Sequence, residues 1–194
     1  MGSNEWGSSG GWSHSLERPH GTLPVTAFDA GTGMADFIGT HHGKLDGKGR
    51  ISVPAPFRAA LKAKSLTGNA AASAPSPLYL LPSTKLACIE GRTEQSFDAL
   101  ADELAKFAAL SDEHHDFATA LYSNSHRLEA DKDGRIVLPA ELIAHAGLKP
   151  DSAITFMGIG DTFEIWDVAA AERRKAEARE RSAALRFNSP ALAR

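Results

Sequence analysis

The sequence predicts a mainly β protein with helices, an α+β fold built from two copies of one structural unit. Three observations lead there. A ten-residue pattern recurs 85 positions downstream without a gap. Short apolar runs bounded by Gly and Pro read as strands, and they alternate with stretches of helical spacing. The composition, 42% hydrophobic and 23% charged, is that of an ordinary globular chain.

Residues 1–33 are rich in Gly and Ser around Trp6 and Trp12. They read as a disordered leader or an N-terminal extension. Met34 opens the folded part. Residues 34–92 form the first unit, interrupted at 62–77 by an Ala/Ser/Pro-rich loop that cannot build a core. A helical spacer spans 93–126. In it Phe97, Leu100, Ala101, Leu104, Phe107 and Ala108 make one apolar stripe, and Ser111 is placed to cap a second helix. Residues 127–167 form the second unit, and 168–194 an amphipathic or merely charged C-terminal helix with a basic tail.

The repeat sets the architecture. Asp46-Gly47-Lys48-Gly49-Arg50-Ile51-Ser52-Val53-Pro54-Ala55 lies over Asp131-Lys132-Asp133-Gly134-Arg135-Ile136-Val137-Leu138-Pro139-Ala140. Gly49 and Gly134 allow a positive φ, hence a tight turn before each arginine. Ile51–Val53 and Ile136–Leu138 read as short strands. Pro54 and Pro139 end them and stand ahead of helices, the second closed by Gly147. Downstream, Leu78–Leu81 matches Ile154–Met157, and Leu86–Ile89 matches Thr162–Ile165. One unit has too few strands to close a barrel. Two units from one chain could pair and leave no open edge.

The net charge of −3 excludes an indiscriminate polycation, but the charge is segregated. Residues 44–64 carry +5, residues 82–133 carry −6, and residues 173–194 carry +5. Such segregation presents a local field to an anion, although solvated helix faces would look the same. The single cysteine, Cys88, excludes an intramolecular disulfide and points to a reducing compartment. No run approaches the ~20 apolar residues of a membrane span, so no membrane partner is expected.

The motifs Leu45-Asp46-Gly47-Lys48-Gly49-Arg50, with Pro54 and Phe57-Arg58, and Asp131-Lys132-Asp133-Gly134-Arg135, with Leu138-Pro139, resemble those of the MraZ family. That family belongs to the wider AbrB/MazE-like group. Ala146-Gly147-Leu148 and Glu164-Ile165-Trp166-Asp167 add to the likeness, which covers about Met34 to Asp167. The resemblance implies two tandem repeats that form a double-split, swapped-hairpin β-barrel within one subunit, and subunits that assemble into a homo-oligomeric ring. It implies a cytoplasmic, nucleoid-associated transcriptional regulator. Its partner would be double-stranded DNA with short tandem repeats, upstream of its own gene in a division and cell-wall cluster.

On that resemblance Arg50, with Lys48 beside it, is the main DNA-reading residue of repeat one. Arg135, with Lys132 nearby, is its counterpart. The chemistry agrees, because an arginine fork matches guanine or phosphate. Asp46, Gly49, Pro54, Asp131, Gly134 and Pro139 are the structural motif, with the aspartates closing the turns or orienting the arginines. Internal Asp–Arg pairs that hold the barrel are the competing reading for both arginines. Lys48 is matched by Asp133, which gives repeat one the larger share of DNA binding, and Arg58 is matched by Ile143.

Other chemistry is weakly signalled. His41-His42 and His114-His115 diverge in direction and lack zinc-site companions. Gly158-Ile159-Gly160 reads as a hairpin turn, Cys88 as a small buried residue and Trp166 as core or interface. No catalytic signature appears, so no enzyme, cofactor or small-molecule substrate is expected. The alternative function is an antitoxin-like protein-interaction module of the AbrB/MazE type.

Overall fold

The computed structural model of the chain describes residues 37–65, 77–104, 106–107 and 111–188. All lie in the compact unit Met34–Arg194. The leader at 1–33, Met34 to Asp36, most of the 62–77 loop, Ala108 and the last six residues of the tail fall outside the described residues.

The elements run β1 (Thr40–Lys44), β2 (Arg50–Ser52), α1 (Ala55–Ser65), β3 (Leu78–Pro82), β4 (Ile89–Thr93), α2 (Glu94–Leu104) and α3 (Asp112–Tyr122). Then follow β5 (His126–Leu128), β6 (Arg135–Val137), α4 (Ala140–His145), β7 (Ala153–Gly158), β8 (Thr162–Asp167) and α5 (Val168–Asn188). The result is a mixed α+β fold with antiparallel pairing throughout.

Six strands form one sheet in the order β1-β7-β8-β4-β3-β5, and β2 pairs with β6 in a separate two-stranded ribbon. Strands from the two halves of the sequence interleave. Early β1 pairs with late β7, late β5 pairs with early β3, and β4 meets β8 at the centre. Each half therefore supplies the pairing partner that the other lacks.

The largest of three apolar clusters among the described residues lies between sheet, ribbon and helices. Phe37, Phe57, Phe156 and Phe163 are fully buried in it. Phe37 packs edge-on to Phe57 and to Phe163, at ring-centroid distances of 5.3 and 5.0 Å, the arrangement that ring quadrupoles favour. Ile51 and Ile136 bring the inner face of the ribbon into the same cluster. Each such side chain stabilises by about 1.5–3 kcal/mol, so the ribbon is anchored from below.

The structure corrects several boundaries. The ribbon strands begin at the arginines and end before Val53 and Leu138, because the arginine backbone already pairs across the ribbon. The stretch Leu86–Ile89 is a strand only at Ile89; the residues before it bend, and β4 runs on to Thr93. Helix α2 ends at Leu104, and Phe107 sits in a turn against Phe117 at a centroid distance of 5.8 Å. Its stripe position is thus met by a neighbouring helix rather than by continuation of its own. Ser111 caps α3 as its sequence predicts, its hydroxyl accepting from the His114 N–H at 3.1 Å. Helix α5 reaches Asn188 and is polar nearly all round, with Ala171 alone fully buried among its described side chains.

Candidate nucleic-acid interface

The β2–β6 ribbon is three residues wide on each strand, with register Arg50↔Val137, Ile51↔Ile136 and Ser52↔Arg135. Side chains alternate across a strand. The two isoleucines point into the core, and Arg50, Ser52, Arg135 and Val137 point out. The register makes Arg50 and Arg135 diagonal neighbours on the outer face, about 7–8 Å apart.

Each strand is entered through a turn of the same design. The Gly49 N–H donates to the Asp46 carbonyl at 3.0 Å, and the Gly134 N–H to the Asp131 carbonyl at 2.9 Å. Both glycines have φ of +77°, which a side-chain-bearing residue adopts at a cost of roughly 1–2 kcal/mol. The carboxylates close the turns from inside. Asp46 Oδ1 accepts from the N–H groups of Lys48 at 2.8 Å and Arg50 at 2.9 Å. Asp131 Oδ1 does the same for Asp133 at 2.9 Å and Arg135 at 2.8 Å. The Arg50 N–H is the largest cause that lowers the Asp46 carboxyl to a pKa of about 2. Asp131 is lowered for the matching reason, the Arg135 N–H first. Both turns therefore keep their charge through the physiological range.

The arginine side chains differ. Arg50 Nε donates to Asp46 Oδ2 at 2.7 Å, and its two Nη groups take no protein partner among the described residues. A half-exposed pair of this kind contributes about 0–1 kcal/mol. Its main effect is to aim the fork outward, and it sits within the turn rather than between the two halves of the chain. Arg135 has no such tether to Asp131. Its Nη1 lies 3.4 Å from Asp133 Oδ2 instead. Lys48 and Lys132 are exposed at the turn tips.

The roles of Lys44, Ser52, Val137 and Arg58 at this ribbon escaped the sequence reading. Lys44, Asp46, Arg50, Ile51, Ser52 and Arg135 line a shallow depression of about 260 Å³. Lys44 also lies 3.7 Å from Asp151, a residue with φ of +60° beside Gly47. Ser52 and Val137 could have been found by counting two residues on from each arginine. Arg58 could not. Its Nη1 donates to the Asp133 carbonyl at 3.0 Å, 75 residues away. The guanidinium occupies the place where a Cβ on Gly134 would stand, while Ile143 covers Gly49 on the opposite turn. The two halves also hold each other. The Val53 N–H donates to the Gly134 carbonyl at 2.9 Å, and the Leu138 N–H to the Gly49 carbonyl at 2.8 Å.

The family model described as "MraZ protein, putative antitoxin-like" matches residues 37–73 and 121–186, the two stretches that carry these turns. This chain belongs to the MraZ family. It is 47% identical over 149 residues to the transcriptional regulator MraZ of Gluconacetobacter diazotrophicus, a match covering 77% of this chain and 89% of that one. It is 43% identical over 153 residues to the protein of the same name from Gluconobacter oxydans, covering 78% and 88%. A third MraZ regulator, from Rhodospirillum rubrum, is 34% identical over 151 residues, covering 74% and 87%. The MraZ model leaves out residues 74–120, which include α2 and most of α3. Among the described residues no group of three His, Cys, Asp or Glu side chains is placed to hold a metal. Among them, too, no helix is long and apolar enough to cross a membrane.

Proposed function

We propose that this chain is a sequence-specific, DNA-binding transcriptional regulator that reads duplex DNA with the outer face of the β2–β6 ribbon. The observation that carries the reading is the pairing of Arg50 and Arg135 as exposed diagonal neighbours on one ribbon, each behind an Asp-Gly turn. A two-stranded β-ribbon is narrow enough to enter a major groove. Arg50 and Arg135 would address guanine edges, and Lys48 and Lys132 the flanking phosphates. Asp46, Gly49, Pro54, Asp131, Gly134 and Pro139 would hold the frame. The name carried by the relatives supports the regulatory role.

The proposal extends to architecture. Two tandem repeats, 34–92 and 127–167, would complete one double-split barrel by exchanging strands, with 93–126 as helical spacer and 168–194 as C-terminal helix and tail. The interleaved pairing of β1 with β7 and β5 with β3 supports this. Copies of the barrel would close into a homo-oligomeric ring, so that weak single sites add through effective concentration. The target would be short direct repeats upstream of the chain's own division and cell-wall cluster, in the cytoplasm at the nucleoid. The words antitoxin-like in the family description bring no observation on this chain that favours a toxin partner.

The test is a gel shift with the DNA upstream of the gene. Arg50→Ala, folded and of unchanged oligomeric size, is expected to lose binding, and wild-type affinity is expected to fall steeply with salt. Retained affinity in Arg50→Ala would overturn the assignment.

A further inference from the structure

The ribbon has near two-fold backbone symmetry and unlike chemistry at its two ends. At one end Lys48 and Arg50 stand with Val137 directly across from Arg50, and Val137 is 58% exposed. At the other end Asp133 and Arg135 stand with Ser52 directly across from Arg135. The first end thus offers an ammonium, a guanidinium whose Nε is held by Asp46 at 2.7 Å while its Nη groups face outward, and two methyl groups. The second offers a carboxylate, a fork that the carboxylate already engages at 3.4 Å, and a hydroxyl.

We propose that Asp133 and Val137 are specificity-determining residues that make the ribbon read DNA in one direction only. The inference rests on the DNA-binding reading above and deepens it. A carboxylate repels phosphate and accepts from an exposed base amino group, that of cytosine above all. Asp133 therefore admits the second end to the groove only where such an amino group faces it, and releases Arg135 there. Val137 beside Arg50 suits a thymine methyl next to a guanine. Turning the ribbon around would set Asp133 where Lys48 meets phosphate, and Ser52 where a methyl is read. A symmetric ribbon fits inverted half-sites equally well both ways. This one fits an asymmetric element, the kind of unit that the direct repeats proposed above require.

The test uses the full chain with a random-sequence duplex library, followed by affinities for the selected duplex and its single-base variants at several salt concentrations. The wild-type chain is expected to select an asymmetric element. Asp133→Ala is expected to lose about tenfold discrimination at one amino-bearing position and to leave the others intact. Its salt slope should steepen by about 0.9 for each arginine freed to meet a phosphate. Val137→Ser is expected to lose the thymine preference at a different position. Both side chains are exposed, so unchanged circular dichroism is expected for each variant. Selection of a palindrome by the wild-type chain, or unchanged selection and salt slope in both variants, would overturn the proposal. If Arg50→Ala still abolishes binding in that case, the DNA reading stands and only the directional assignment falls. A wild-type chain that selects no sequence removes both.

Discussion

At Gly134 two demands coincide. The backbone needs a positive φ, and the space above the residue is taken by Arg58. Gly147 meets only the first demand, since its φ is +61° and nothing stands within 4 Å of an added Cβ. Gly134→Ala is therefore expected to destabilise more than Gly147→Ala. Both substitutions carry the left-handed cost of roughly 1–2 kcal/mol. The first also displaces Arg58 from the Asp133 carbonyl, a further ~1 kcal/mol. Urea denaturation of the two variants checks this, and equal losses would show that Arg58 contributes nothing there. At this scale the sequence made Asp46, Gly49, Arg50 and their partners visible, because a turn encodes itself within five residues. The Arg58 brace was hidden, because its contact partner lies 75 residues away and its own counterpart is an isoleucine.

Among elements, the β4–β8 pair sets two carboxylates directly opposite each other, Glu90 against Glu164. Glu90 is relieved by Arg92 at 3.0 Å, while Glu164 accepts from Trp166 Nε1 at 2.9 Å. Burial raises the Glu164 pKa, the Trp166 bond opposes the rise, and Glu90 adds to it. The folded state then holds that proton more tightly than the unfolded one does. Acidification through the raised pKa favours folding, and the charged form above it carries a cost. Glu164→Gln keeps an acceptor for Trp166 and removes the repulsion. It is expected to raise stability at neutral pH by about 0.2–1 kcal/mol, seen as a higher urea midpoint with an unchanged slope. Arg174 also lowers the Glu164 pKa through its charge, and a lower midpoint would show that this attraction outweighs the repulsion from Glu90. The strands themselves were readable from apolar runs, but their register was not. The bend before Ile89 shifts the expected match, because a loop of six residues obeys no periodicity. For helix α5 the sequence left amphipathic and merely charged readings open; the structure makes it polar nearly all round, with pairs such as Glu177–Arg181 at 2.8 Å along its surface.

For the molecule as a whole, strand exchange between the halves makes neither half self-sufficient. A fragment of residues 37–104 would lack β7 beside β1, β8 beside β4 and β6 beside β2. It is expected to show no cooperative thermal transition by circular dichroism. Mixed with a fragment of residues 111–188, it is expected to regain one. A cooperative melt of the first fragment alone would mean that the halves are separate folding units. The ten-residue repeat in the sequence pointed to two copies of one unit. It could not reveal that each copy completes the other, since an offset of 85 is equally compatible with two beads on a string.

The reciprocal bonds from Leu138 to Gly49 and from Val53 to Gly134 also fix a length. Gly49 and Val53 are four residue steps apart, so the two turns stand about 14 Å apart at ~3.4 Å per residue of strand. B-form DNA rises by about 3.4 Å for each nucleotide along a strand. If the ribbon reads DNA as proposed, the two turns would act as a caliper with jaws set some four base-pair steps apart. Because each jaw is fastened by the opposite half of the chain, the gap cannot be adjusted at one end alone. A site with one base pair too many between its two contacts would meet a tool of the wrong gauge.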